Sequence, residues 1–330
     1  MTWTVVLLVA LALIFDFING FHDSANSIAT VVSTRVLSPR AAVMWAAFFN
    51  FIAFLVFPLH IANTIGKGII DPSIVDHRII AATLLAACLW DLLTWYWGLP
   101  TSSSHALIGG FIGSALVKVG AAALIWSGII RTVVFMVLAP VLGLVLGLGL
   151  GTAVAWIFRR ATPHRVHSLF RRAQYFSASL YSLGHGGNDA QKTMGIIALL
   201  LYSSGLLGPT FHVPAWVVLS CYFAMGLGTL CGGWRIVKTM GQKVSKLRPV
   251  DGFCAETGGA LTLYLASALG APVSTTHTIT GAIMGVGSLK RLSAVRWGVG
   301  GDIAAAWVLT IPACALVASV SYWLMTLWGG

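Results

Sequence analysis

The chain has 330 residues, 58% of them hydrophobic and only 9% charged, with a mean hydropathy of +0.88. Soluble domains carry about a quarter charged residues, so a large soluble domain is excluded; on the order of ten crossings of about 20 residues each fit the length. The net charge of +11 would point to nucleic acid in a soluble protein, but in a membrane protein it reports basic cytoplasmic loops, and no nucleic-acid partner is expected.

The first apolar run, 3–19, lacks the basic flank and small-residue cleavage site of a signal peptide and reads as the first helix, interrupted near Gly20 and Asp23. Runs at 41–62, 79–97, 105–117 and 121–158 complete a first half, 1–158. Residues 159–175 hold Arg159, Arg160, Arg165, Arg171 and Arg172 with no acid and read as a cytoplasmic linker. The second half, 176–330, runs 176–183 with 193–207, interrupted around Asp189, then 214–233, 252–269, 278–289 and 298–328. The runs 105–117 and 278–289 each follow a Pro-Ser/Thr cluster and are too short for an ordinary crossing, which predicts re-entrant segments. Five cysteines stand singly in apolar stretches and read as small core packers.

Walking outward from the linker places fifteen of the twenty Lys and Arg on the cytoplasmic side and three, Lys67, Arg78 and Lys118, on the other. With five crossings per half, the second half enters the membrane from the opposite face. Gly98, Pro100, Ser102, His105 and Gly109 recur as Gly270, Pro272, Ser274, His277 and Gly281, displaced by 172 residues, and Asp23 recurs as Asp189, displaced by 166. A duplicated unit leaves such an ordered pair of displacements. The predicted fold is all-α: a polytopic membrane protein of two inverted repeats with broken helices, the pattern of secondary transporters that bind substrate near midplane.

Charge at membrane depth needs a reason. Asp23 and Asp189 each sit at a Gly-rich interruption beside amide side chains, Asn19 and Asn26 in one case, Asn188 and Gln191 in the other. Carboxylate, amide and freed backbone carbonyls there suit Na⁺, and a desolvated carboxylate would equally take a proton. Ser102, Ser103 and Ser104, and Ser274, Thr275 and Thr276, precede short helices whose N-terminal N–H groups attract an oxyanion. His22, His105, His185 and His277 fall in the same motifs and read as supporting hydrogen-bond partners, no i, i+4 or carboxylate spacing being found for zinc. Lys192 either neutralises Asp189 or contacts the anion.

Together NGFHDSANSIATV, GLPTSSSHALIGG, GHGGNDAQKTMG and APVSTTHTITG, with GWRIVKTMG from Gly233 and GFCAETGG from Gly252, resemble the inorganic phosphate transporter family, Pit, over nearly the whole chain. The resemblance implies a non-enzymatic symporter of phosphate with Na⁺ or H⁺, in an inner membrane and surrounded by lipid, and a homodimer. It implies no cofactor beyond the transported ions. Asp23, Asn26, Asn188, Asp189 and Gln191 would sit at the phosphate and cation sites, the two Ser/Thr clusters would hold the anion, and Glu256 would serve transport. His22 and Lys192 depart from the family pattern, and Asn50 stands where animal relatives carry Glu. A sulfate or metal–phosphate permease of the same fold is the alternative; an intramembrane hydrolase would need one Ser-His site, whereas the sequence duplicates it.

Overall fold

A computed structural model describes residues 2–328. Among them are twelve α-helices, six per half. The first half holds α1 (Trp3–Ser33), α2 (Pro39–Ile52), α3 (His60–Lys67), α4 (His77–Trp97), α5 (Ser103–Val119) and α6 (Trp126–Ile157). The second holds α7 (Pro163–Ser203), α8 (Ala215–Cys231), α9 (Trp234–Lys238), α10 (Pro249–Ala268), α11 (Thr275–Lys290) and α12 (Trp297–Trp328), with a π-helical turn, Thr239–Val244, prolonging α9. Helix starts follow from local chemistry. Pro39 opens α2 behind the Ser38 cap, Pro163 opens α7, and Asp76 Oδ1 accepts the Ile79 N–H at 2.8 Å to start α4.

Inversion is visible in the hydrogen bonds between α1 and α7. Thr193 donates to Asp16 Oδ1 at 2.9 Å and Thr34, the C-cap of α1, donates to Gln174 Oε1 at 2.9 Å, so a step forward along α1 matches a step back along α7. A matched pair of ion pairs repeats the point. Lys118 at the end of α5 bonds Asp76 before α4 at 2.7 Å, and Lys290 at the end of α11 bonds Asp251 at the start of α10 at 2.6 Å.

The halves interlock. α5 packs on α4 and on α12 of the other half, while α11 packs on α10 and on α6. Small residues allow this approach: a Cβ on Gly109 would lie 2.5 Å from the Ile311 carbonyl oxygen, and one on Gly281 would lie 2.2 Å from that of Pro140. Two bends complete the plan, 83° between α2 and α3 and 60° between α8 and α9.

α1, α4, α6 and α12 are each long and apolar enough to cross a membrane, and each bent pair meets that test as a unit. The interruptions expected at Asp23 and Asp189 are absent, since α1 and α7 run unbroken through both. One glycine in a helix costs only about 1 kcal/mol, and these glycines serve packing. A Cβ on Gly20 would lie 2.2 Å from the Met225 carbonyl oxygen and one on Gly186 2.4 Å from that of Asn50. α7 is polar yet buried at every position from Gly184 to Leu201, because its neighbours are protein rather than lipid. The segment expected as a linker, 159–175, is mostly helical, with α7 beginning at Pro163.

Basic residues gather at one end. Tyr175 donates to the Val36 carbonyl oxygen, which joins the segments bearing Arg35, Arg171 and Arg172. Lys290 donates to that of Lys246 and the Arg296 N–H to that of Val244, which joins those bearing Arg248 and Arg291. A Cβ on Gly252 would lie 2.2 Å from Gln174 Nε2, which sets the two groups side by side. Lys118 lies at the opposite end with the start of α4.

Candidate functional site

Gly98 and Gly270, both left-handed with φ of 68° and 63°, end α4 and α10. The chain then turns inward through Pro100 and Pro272. Ser102 accepts the His105 N–H at 3.4 Å and Ser274 accepts the His277 N–H at 3.2 Å, capping α5 and α11. These two helices therefore start inside the protein, and their first turns meet. Ser104 donates to the Val273 carbonyl oxygen at 3.2 Å, and the rings of His105 and His277 lie 4.5 Å apart, His277 stacking on Trp307 at 3.7 Å. The first N–H groups of both helices have no acceptor within their own helix.

The two carboxylates face this junction. On α1, Asn19, His22, Asp23 and Asn26 lie at i, i+3, i+4 and i+7 and so share one face. Asp23 pairs with the His22 ring at 2.7 Å and accepts from Ser103 at 3.4 Å and Thr276 at 3.3 Å. Asn26 donates to Thr275 at 3.2 Å and Thr276 at 2.9 Å. On α7, Asp189 accepts from Thr275 at 2.8 Å, ion-pairs with Lys192, and lies 3.2 Å from His185 Nε2, off the angle of a hydrogen bond. His185 in turn pairs with Asn50 at 3.1 Å. Ligand atoms of Asp23, His185 and Asp189 all lie within 4.8 Å of one another. Asn19 Oδ1, Asn26 Oδ1 and both amide atoms of Asn188 are buried without a hydrogen-bond partner.

Several expected roles need correction. Gln191 faces the α2–α3 bend, where its oxygen accepts the N–H groups of Ile61 and Ala62 and its nitrogen donates to Pro58 and Gly187, so none of its hydrogen-bonding capacity is left for an ion at the junction. Ser102 and Ser274 accept the cap hydrogen bonds, which leaves their O–H protons uncommitted by those bonds. Glu256 accepts from Gln174 at 2.9 Å and from Ser177. Ser177 precedes Asp189 by twelve residues, about 18 Å along α7, so Glu256 forms a separate polar cluster toward the basic end. His185 and Asp189 do form an i, i+4 pair, contrary to the spacing expected. Freed carbonyls from broken helices supply nothing at Asp23 or Asp189, since those helices are intact.

Two further neighbours carry no site role in the sequence reading. Tyr181 donates to the Thr275 carbonyl oxygen at 3.0 Å and stacks near His185; the spacing 181, 185, 189 would have flagged it in a continuous helix. Asp91 on α4 is fully buried with both oxygens unpartnered. Its isolation in an apolar run was the available signal.

The phosphate transporter family matches residues 19–165 and again 158–318. The chain belongs to this family. It is 61% identical over 315 residues to a "probable low-affinity inorganic phosphate transporter" of Rhizobium meliloti (strain 1021), covering 96% of this chain and 94% of that one. A protein of the same printed description from Bacillus subtilis (strain 168) is 44% identical over 324 residues, 98% of this chain and 97% of the other. A solved structure, "The sodium-dependent phosphate transporter", superposes with a TM-score of 0.90 at 26% identity and covers 99% of this chain and 100% of that one. The two family matches fall one on each half, so the segments that meet at the junction, 98–105 and 270–277, come from different copies of the family's repeat.

Proposed function

We propose that the chain is a Na⁺–phosphate symporter, with phosphate held between the first turns of α5 and α11 and Na⁺ at Asp23. The observation that carries this reading is the meeting of two inverted helix N-termini at a buried pair of carboxylates. Helix N-termini attract an oxyanion, and Ser103, Ser104, Thr275, Thr276 and the unpartnered Asn188 amide add neutral donors. Two carboxylates oppose the anion. Lys192 offsets Asp189, and a cation at Asp23 offsets the other, so the helix ends hold phosphate once the cation is bound. That order is the coupling.

Na⁺ is favoured over a proton by the orphaned oxygens. Asn19 Oδ1 and Asn26 Oδ1 are buried acceptors without donors; a metal cation takes several oxygen ligands at once, whereas a proton on Asp23 satisfies a single acceptor. Phosphate is favoured over sulfate because hydrogen phosphate donates to a carboxylate and sulfate does not. His22 orients Asp23. The basic end faces the cytoplasm of an inner membrane by the positive-inside rule, and a homodimer is part of the same proposal, checked by light scattering on the purified chain.

The test is uptake of labelled phosphate into proteoliposomes with Na⁺ and pH gradients imposed separately and sulfate as competitor. A Na⁺ gradient alone is expected to drive accumulation that sulfate leaves intact. Accumulation driven by a pH gradient alone, or full competition by sulfate, would overturn the reading.

A further inference from the structure

Across the inverted repeat, Asn19, His22, Asp23 and Asn26 correspond, 166 residues on, to His185, Asn188, Asp189 and Lys192. The two copies differ in charge at one place, where an amide faces an ammonium. Lys192 is 2% exposed, ion-pairs with Asp189 Oδ1 and donates to the Val273 carbonyl oxygen at 3.0 Å. A carboxylate together with a backbone carbonyl is a donor set that suits a bound alkali cation. In the other copy Asn26 spends its N–H groups on Thr275 and Thr276 and leaves Oδ1 buried and unpartnered. Among the described residues no ammonium or guanidinium pairs with Asp23; its ring partner is the His22 imidazole at 2.7 Å.

We propose that Lys192 is a tethered substitute for a second coupling cation. Its ammonium fills the Asp189 copy of a duplicated cation site, and the Asp23 copy alone exchanges its ion with solution. This rests on the Na⁺–phosphate reading above. The charge balance then has a definite form. Counted over Asp23 and Asp189, with Asp91 on α4 and the His22 imidazole common to every variant compared, one fixed ammonium leaves one negative charge, which one mobile cation cancels before the anion enters. Removing the ammonium restores the demand for a second mobile cation, and adding one beside Asp23 removes the demand for the first.

Lys192→Asn makes the copies alike, and Asn26→Lys fills both. The purified wild type and both variants are compared for labelled Na⁺ bound per chain by scintillation proximity, which does not require transport, and for the Na⁺-to-phosphate flux ratio in proteoliposomes. Lys192→Asn is expected to bind one more Na⁺ per chain than wild type and to show a steeper Na⁺ dependence of uptake. Asn26→Lys is expected to bind one fewer and to lose Na⁺ dependence of phosphate binding. An unchanged Na⁺ count in both folded variants overturns the proposal. So does a Lys192→Asn chain whose half-saturating phosphate rises at an unchanged Na⁺ count, which would make Lys192 an anion contact. Wild-type protein that binds no Na⁺ would instead bring down the symport reading itself.

Discussion

Replacing Asp189 by Asn strands a buried charge. Lys192 and Asp189 are 2% and 1% exposed, so the ammonium would keep only the Val273 carbonyl oxygen as a strong acceptor, and Thr275 would lose the carboxylate it donates to at 2.8 Å. Breaking one partner of a buried ion pair costs about 3–5 kcal/mol, which converts to a lowering of Tm on the order of 5–10 °C. The assay is thermal unfolding of the detergent-solubilised chain by intrinsic fluorescence. Its second arm is the double variant Asp189→Asn/Lys192→Met, which removes both charges. If the loss comes from the stranded ammonium, the double variant recovers most of it, giving a coupling energy of about 2–3 kcal/mol in the cycle. An Asp189→Asn chain as stable as wild type, or a double variant less stable than either single one, refutes the reasoning.

Gly281→Ala puts a Cβ 2.2 Å from the Pro140 carbonyl oxygen. It should force α11 away from α6 at a cost of about 1–3 kcal/mol, read as a lower Tm and a loss of folded yield. Gln191→Leu leaves the Ile61 and Ala62 N–H groups at the α2–α3 bend without their acceptor. A fall in stability of about 1–3 kcal/mol is expected with the half-saturating phosphate of the folded fraction unchanged; a large change there would return Gln191 to the anion site. At the surface end of α4, burial works against the Asp76 carboxylate but is outweighed by Lys118 and the Ile79 N–H, which hold it below the ordinary carboxylate range. Its stabilising effect is therefore present at neutral pH and lost as the pH falls through that lowered value. Asp76→Asn should lower Tm at pH 7 and leave a gap that closes on acidification.

Duplication and inversion were legible because they rest on residues with local backbone duties. Gly98 and Gly270 are needed for a left-handed turn, Pro100 and Pro272 for the entry, and Ser102 and Ser274 for the cap, so each leaves the same mark twice. The interlock of α5 with α12 and α11 with α6 was not legible, since it depends on where a glycine face meets a distant partner: Gly109 against Ile311, Gly281 against Pro140. Convergence at the candidate site was legible more than the part each side chain takes in it. Asp23, Asn26, Asp189 and the hydroxyls converge as expected. Glycines near Asp23 and Asp189 read as breaks because a helix break and a tight helix crossing use the same residue. Gln191 was misread because two residues along α7, about 200° of rotation, separate Asp189, aimed at the junction, from Gln191, aimed at the bend.

On the proposed reading, Asp23 holds the cation whose binding admits phosphate. The most direct test is phosphate uptake driven by a Na⁺ gradient in vesicles carrying Asp23→Asn, with folded protein verified by size exclusion. Loss of Na⁺-driven accumulation is the predicted result. Accumulation at the wild-type level, with the same dependence on Na⁺, would contradict the account.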